Sequence, residues 1–208
     1  MDERGYTRTV KPVVLSYAPD ALLPAVDAET FTHHYRGIYM AAVHRLNIAA
    51  DRHFGESSVP ALLTDRRARR TIPADMAACV YAHELYFTSL MPAGNGYAAV
   101  PQVLAEKLKR DIGSTFEVFY RIRETARQCP DDGFLYLTEN RRSGRLSVAA
   151  FPLYTLPPLR YENPIMAIDL FEHAYYGLYR YDRERYVAAV TGQLNWQAIC
   201  DRMIYGKM

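Results

Sequence analysis

The first half of the chain carries two stretches in which apolar residues recur at helical spacing. In the first, which begins at Ala28, the recurring positions are Phe31, His34 or Tyr35, Ile38, Ala42 and Leu46. In the second, which begins after Pro73, they are Met76, Val80, His83, Phe87 and Leu90. A spacing of three or four residues places such positions on one face of a helix. The pattern therefore predicts two amphipathic helices that pair as an antiparallel hairpin.

A polar segment rich in arginine separates these two runs. Its basic residues are Arg66, Arg67, Arg69 and Arg70. Charged side chains in such a cluster are usually solvated, so we interpret the segment as an exposed loop. The turn residues of 91–96 end the second run. We therefore divide the chain into an N-terminal extension and α-hairpin lobe (1–95) and a C-terminal α/β lobe (96–208).

The second half combines helical and strand patterns. Residues 100–128 predict two helices that are broken near Gly113 and Ser114. The apolar segments that predict strands are 133–137, 146–150 and 165–168. Asn140 to Gly144 separate the first two strands as a hairpin turn. Helical patterns follow from about Leu170. The predicted fold class is α+β, with an N-terminal antiparallel α-hairpin and a C-terminal lobe of helices and a three-stranded antiparallel sheet.

Composition and charge argue against nucleic-acid-binding and membrane-spanning proteins. The 208 residues carry a net charge of +2, which is too small to indicate nucleic acid or a membrane surface as the main partner. No apolar run approaches the roughly 18 residues of a membrane span. Cys79, Cys129 and Cys200 are widely spaced, and the first twelve residues have no apolar core of a secretory signal. We therefore expect a cytoplasmic protein.

Three histidines and one aspartate fall where these elements could bring them together. His34 and His83 lie on the apolar faces of the two helices, where a single histidine is more often an ordinary core residue than a ligand. Asp169 ends a buried strand and precedes His173 by four positions; a charge there is costly unless it is paired or bound to a metal. Three imidazoles and a carboxylate suit iron, manganese or zinc. The spacing alone leaves both a metal site and ordinary core histidines open.

The residues that follow the third strand carry a family resemblance. The run D-L-F-E-H-A-Y-Y from Asp169 to Tyr176 is similar to the D-[VL]-W-E-H-A-Y-Y signature of iron/manganese superoxide dismutases. The flanking matches are Y-A-P-D-A-L at 17–22, R-D-I-G-S at 110–114, Y-V at 186–187 and N-W at 195–196. The resemblance implies that family's fold and one Fe or Mn ion per subunit. The implied ligands are His34, His83, Asp169 and His173, with a solvent molecule in the fifth position.

The resemblance also implies a homodimer. Glu172 matches the glutamate that bridges to the ligand histidine of a partner subunit, and Tyr176 matches a tyrosine that pairs with a histidine across the dimer. In this chain Ile38 stands in place of that histidine, so Tyr176 has lost its partner. Ala42 replaces a tyrosine that gates the route of the substrate to the metal.

Further departures concern the surroundings of the metal. Cys79 and Tyr154 stand at the two alternative positions of the glutamine that hydrogen-bonds the metal-bound solvent. Phe87, Phe134 and Phe171 stand where the family usually has tryptophan. Since most of these changes replace a large side chain by a smaller one, we expect a wide apolar pocket above the metal. Its lining residues would be Ile38, Ala42, Cys79, Phe87, Phe134, Tyr154 and Phe171.

Three functions follow as hypotheses. The first is an Fe- or Mn-dependent oxidoreductase that has been repurposed for oxygen-dependent oxidation of a small organic substrate, which a wide apolar pocket would suit. The second is a superoxide dismutase whose metal has altered surroundings. The third is a non-catalytic metal-binding or assembly protein.

Overall fold

Helices and one sheet follow the order that the apolar pattern predicts. The computed structural model describes residues 10–50, 54, 56–92, 99–129 and 132–206. The helices of the first half are α1 (Ala28–Thr32), a π-helical segment (His33–Tyr39), α2 (Met40–Ala50), α3 (Val59–Thr64), α4 (Ala68–Thr71) and α5 (Ala74–Thr88). Those of the second half are α6 (Gln102–Asp111), α7 (Thr115–Gln128), a 3-10 turn (Glu172–Ala174), α8 (Tyr176–Tyr179), α9 (Arg183–Thr191) and α10 (Trp196–Tyr205). The strands are β1 (Gly133–Asn140), β2 (Leu146–Pro152) and β3 (Glu162–Asp169). This arrangement confirms the predicted α+β class.

The sheet brings the end of β3 into the interior. The strand order is β2-β1-β3, and both pairs are antiparallel. Phe134 at the start of β1 pairs with Asp169 at the end of β3. Seven of the eight residues of β3 are buried, so the strand carries a carboxylate into a region without water. Such a carboxylate needs a cation or several donors.

The prediction of an amphipathic second helix is wrong for α5. Every residue from Ala77 to Phe87 is buried, because the helix packs against β3 on one side and against α2 and α3 on others. The apolar spacing identified one buried face, but alanine, tyrosine and cysteine make the remaining faces apolar as well. Polar side chains on α5, including His83 and Glu84, therefore need partners inside the protein.

The arginine-rich segment is exposed, as expected, but it is not a loop. It contains the two short helices α3 and α4. The Asp65 carboxylate accepts hydrogen bonds from the backbone N–H groups of Arg67 (2.6 Å) and Ala68 (2.9 Å) and so begins α4. Ala68 and Ile72 are buried and hold the segment on the protein, while the arginines point to solvent.

The two halves meet through close packing around one glycine. A Cβ atom at Gly177 in α8 would lie 2.7 Å from Oγ1 of Thr30 in α1, so glycine permits this approach. The contact brings the 3-10 turn near α1 and the π-helical segment. The predicted boundary between residues 95 and 96 lies outside the described residues and stays a prediction. Among the helices that the structure describes, none has the length and apolarity of a membrane span.

Candidate metal centre

Four side chains from four different elements converge in the interior. His34 comes from the π-helical segment, His83 from α5, Asp169 from the end of β3 and His173 from the 3-10 turn. One potential ligand atom from each lies within 4.8 Å of the other three. The side chains of His34, His83 and Asp169 are at most 1% exposed, and that of His173 is 18% exposed. The structure therefore brings together the whole ligand set that the sequence predicted.

The carboxylate of Asp169 is the centre of the cluster. Its Oδ2 atom lies 3.1 Å from Nε2 of His34, 3.1 Å from Nε2 of His173 and 3.6 Å from Nε2 of His83. Its Oδ1 atom accepts a hydrogen bond of 2.8 Å from the backbone N–H of Phe171. That bond holds the chain where it leaves β3 and enters the 3-10 turn, so the same residue positions His173.

The backbone determines which nitrogen of His83 faces the cluster. Nδ1 lies 2.7 Å from the carbonyl oxygen of Cys79, one helical turn earlier. Since a carbonyl oxygen only accepts, Nδ1 carries the proton and Nε2 keeps its lone pair. A backbone acceptor of this kind orients metal-binding histidines in many proteins.

The buried ring nitrogens support a cation in this place. Nε2 of His34 and Nε2 of His83 are buried and have no hydrogen-bond partner among the described residues. Unpaired buried polar atoms are rare and require an explanation. Two lone pairs that converge with a third imidazole and a carboxylate fit a transition-metal ion such as iron, manganese or zinc.

The electrostatic environment keeps the ligands in their binding forms. Burial lowers the pKa of His34 to about 3 and also lowers the pKa of His83. Burial opposes the charge of Asp169, but the interactions with His173 and His34 outweigh it and hold the pKa of that carboxyl well below its usual range. For His173, burial acts downward while Asp169 raises the pKa above its usual value. At neutral pH the two most buried imidazoles are neutral and the carboxylate is charged, which is what metal ligands require.

Aromatic rings enclose the cluster. Phe87 lies 4.8 Å from the ring of His34, and Tyr86 stacks on the same ring at 5.2 Å. Phe134 meets His83 edge-on at 5.4 Å, and Phe171 stacks on His173 at 5.1 Å. These rings leave little room for water beside the ligands.

A thiol and a phenol lie on one side of His83. The Cys79 Sγ atom is 3.7 Å from His83 Nδ1, and the Tyr154 hydroxyl lies close enough to the Cys79 thiol to influence its pKa. The Tyr154 ring lies 6.2 Å from the His83 ring and stacks on Phe171 at 5.1 Å. Burial raises the pKa of Cys79 to about 11 and raises that of Tyr154. Both groups are therefore protonated at neutral pH.

Ile38 and Ala42, two further residues of the expected pocket, differ in how far they are buried. Ile38 is half-buried at the end of the π-helical segment, and Ala42 is 2% exposed within the core. Tyr154 also forms part of the wall of a cavity of about 1090 Å³. The wide pocket above the cluster stays a prediction.

Sequence reasoning missed a buried acidic group beside the cluster. Glu84 follows His83 in α5, is buried, and accepts a hydrogen bond of 3.3 Å from the Tyr39 hydroxyl. The π-helical segment that contains His34 and Tyr39 was also not expected. Such segments interrupt helices at functional sites in many proteins, but residue spacing gives no signal for them.

The fold and the cluster together define an α+β protein with a candidate mononuclear metal centre. Residues 101–202 match the family of iron/manganese superoxide dismutases in its C-terminal domain. Residues 101–202 therefore form a domain of the iron/manganese superoxide dismutase family. The match contains Asp169 and His173, while His34 and His83 lie before it.

Proposed function

We propose that this chain is an Fe- or Mn-dependent oxidoreductase that uses oxygen to oxidise a small organic substrate. The neighbouring side chains of Cys79 and Tyr154 beside His83 carry the proposal. The family resemblance implies a glutamine amide at one of these two positions. A thiol is a weak hydrogen-bond donor, so this pair supports a metal-bound solvent molecule less well than an amide does.

The residues of the cluster and its surroundings would bind the metal ion and exclude water, as such a reaction requires. His34, His83, Asp169 and His173 would hold the ion, and a bound Fe or Mn ion supplies one-electron redox chemistry. Asp169 provides the negative charge, and the Cys79 carbonyl orients His83. Phe134 and Phe171 exclude water from two sides of the cluster. Cytoplasmic location stays part of the proposal, since no disulfide joins the cysteines that the structure describes, which suits a reducing compartment.

A second candidate is superoxide dismutation itself. The match of residues 101–202 to the family and the complete set of three histidines and one aspartate favour it. A buried cluster with one slightly exposed edge at His173 would admit a small anion more readily than a large molecule.

Metal analysis and two activity assays separate these candidates. The purified protein is loaded with iron or manganese, its metal content is measured, and superoxide turnover is compared with oxygen uptake in the presence of candidate organic substrates. The proposal expects slow superoxide turnover and substrate-dependent oxygen uptake, with metal-free protein as the control. Superoxide turnover near the diffusion limit of about 10⁹ M⁻¹s⁻¹ would establish the dismutase instead.

We also propose a two-fold homodimer in which Glu172 reaches His173 of a second copy. Glu172 is exposed at the start of the 3-10 turn, next to the one ligand whose side chain reaches the surface. An exposed carboxylate beside a ligand histidine can accept a hydrogen bond from the free ring N–H of that histidine in a partner. A symmetric contact of this kind occurs twice in a dimer.

Glu172→Ala tests this dimer. We expect a larger monomer fraction in sedimentation velocity and about 10- to 100-fold weaker metal binding, because the ligand histidine loses its acceptor. Glu106→Ala removes an exposed carboxylate from α6, away from the cluster, and should change neither quantity. Monomeric wild-type protein with one tightly bound ion per chain would contradict the proposal.

A further inference from the structure

A large surface cleft lies next to Tyr154, whose ring is 6.2 Å from that of the candidate ligand His83. It has a volume of about 1090 Å³ and is bounded by α3, α4, the start of α5 and the connection between β2 and β3. Leu63, Leu156 and Leu159 form much of its apolar wall, together with Ala74 and Ala78 of α5. The volume slightly exceeds the roughly 300–1,000 Å³ that small-molecule sites occupy. The cleft is therefore large enough for an organic molecule, whereas superoxide needs no such space.

The rim of the cleft is positively charged. Two guanidinium groups, those of Arg69 and Arg160, line it together with one carboxylate, that of Asp75. Both arginines are exposed, and neither forms an ion pair with a residue that the structure describes. Asp75 already accepts a hydrogen bond of 3.0 Å from the backbone N–H of Met76. The Arg160 guanidinium group lies over the Tyr161 ring at 5.5 Å, a contact that leaves its charge available to an anion. Apolar walls with two guanidinium groups that lack a carboxylate partner complement an anion that has an apolar body.

One aromatic side chain separates the cleft from the candidate ligands. Tyr154 lines the cleft, and it also stacks on Phe171, which in turn stacks on His173. Ala78, which precedes Cys79 in α5, also lines the cleft. A molecule in the cleft would thus touch Tyr154, which lies close to His83 and stacks on the neighbour of His173.

We propose that this cleft binds an organic carboxylate with an apolar chain, and this inference rests on the proposed oxidase function. The carboxylate pairs with Arg69 and Arg160 at the rim. The chain lies along the leucine wall, and its far end reaches the ring of Tyr154. The substrate class of the metal centre would then be organic carboxylates with an apolar chain.

Calorimetric titration of the full chain with octanoate tests the site. We expect saturable binding at one site per chain, with binding about fourfold weaker for each methylene removed in the series to butanoate. Octanol, which has the same chain without the charge, should bind more weakly than octanoate. Binding that does not depend on chain length, or octanol binding as strong as octanoate binding, would overturn the proposal.

Substitutions locate the bound molecule. The double change Arg69→Ala and Arg160→Ala should weaken octanoate binding about tenfold, since one exposed charge pair corresponds to about a 1.5- to 5-fold change. Arg70→Ala is the matched control, because Arg70 is exposed in the same short helix and does not line the cleft. Ala74→Trp, at an exposed position, should fill the cleft and abolish binding while the thermal transition is preserved. Unchanged binding in both the double variant and Ala74→Trp would place octanoate elsewhere and refute the site.

The two proposals fail in different ways. Titrations on metal-free and metal-loaded protein test the cleft without any turnover. If octanoate binds as expected but loaded protein consumes no oxygen with any carboxylate of the series, the oxidase function fails and the cleft stands. If loaded protein oxidises an organic substrate while octanoate does not bind, or while Ala74→Trp leaves that oxidation unchanged, the cleft proposal fails and the function stands.

Discussion

Replacement of Asp169 by alanine is expected to reduce the metal content of the purified protein to less than about one tenth of an ion per chain. The Oδ2 atom of Asp169 is the one anionic atom among the four converging groups, and it lies within 3.6 Å of three ring nitrogens. Changing a partner that only supports a ligand costs about 10- to 100-fold in affinity. Loss of the charged ligand itself should cost at least as much. Each protein is loaded with metal and dialysed to remove the unbound metal. Elemental analysis then measures the metal that remains bound.

Two controls separate the charge from the fold. Asp169→Asn keeps an oxygen that can accept the hydrogen bond from the Phe171 N–H but removes the negative charge, so it should lose the metal and keep the fold. Asp182→Ala removes a carboxylate that accepts a hydrogen bond from a backbone N–H at the start of α9. This variant should keep the metal. Full metal content in Asp169→Ala would refute the proposed site.

Thermal stability provides a second measurement of the same prediction. A ligand present at 100 times its Kd stabilises the folded state by about 2.7 kcal/mol, which corresponds to about 5–10 °C in Tm for a chain of this size. Chelation should lower the Tm of the loaded wild-type protein by this amount. The Tm of Asp169→Asn should not respond to chelator. An equal response in both proteins would mean that the ion binds elsewhere.

Restoring polar groups beside the metal should raise superoxide turnover about 10- to 100-fold. The change combines Cys79→Gln with Ile38→His in a Tyr154→Ala background, because the longer glutamine needs the space that the Tyr154 ring occupies. An amide donor beside the ligands would support a metal-bound solvent molecule better than a thiol does. Rapid-mixing assays of superoxide decay, normalised to metal content, measure the result. The same variant should lose oxygen uptake with its organic substrate.

The control for this experiment is Cys79→Ser in the same background, which keeps a small side chain and adds no amide. It should leave superoxide turnover low. Ala42→Tyr is left out of the first variant, since Ala42 is 2% exposed and a ring there would overpack the core by about 1–3 kcal/mol. Unchanged superoxide turnover in the restored variant, despite full metal loading, would mean that these residues do not control the reaction.

Much of the fold could be predicted because it depends on local spacing. The break at Gly113 and Ser114 separates α6 from α7, and the turn residues after β1 join it to β2 as expected. The arginine-rich segment is not the loop that its composition predicts, because its two helices depend on buried contacts. Val59 and Leu62 hold α3, and Ala68 and Ile72 hold α4. The exposed arginines around them dominate the composition and conceal these contacts.

The amino-acid sequence by itself determined the periodicity of the helices and strands and the end of β3 at a carboxylate. These features rest on residue types and on spacings within one element, where backbone geometry relates sequence separation directly to distance. The identity of the four converging groups rests instead on the family resemblance, since spacing alone leaves ordinary core histidines open. The tertiary structure alone decided that α5 is buried on every face from Ala77 to Phe87, that His83 presents Nε2, and that Tyr154 lies at a charged cleft. Each of these depends on how separate elements pack, and packing is set by the combined shape of many side chains that are distant along the chain.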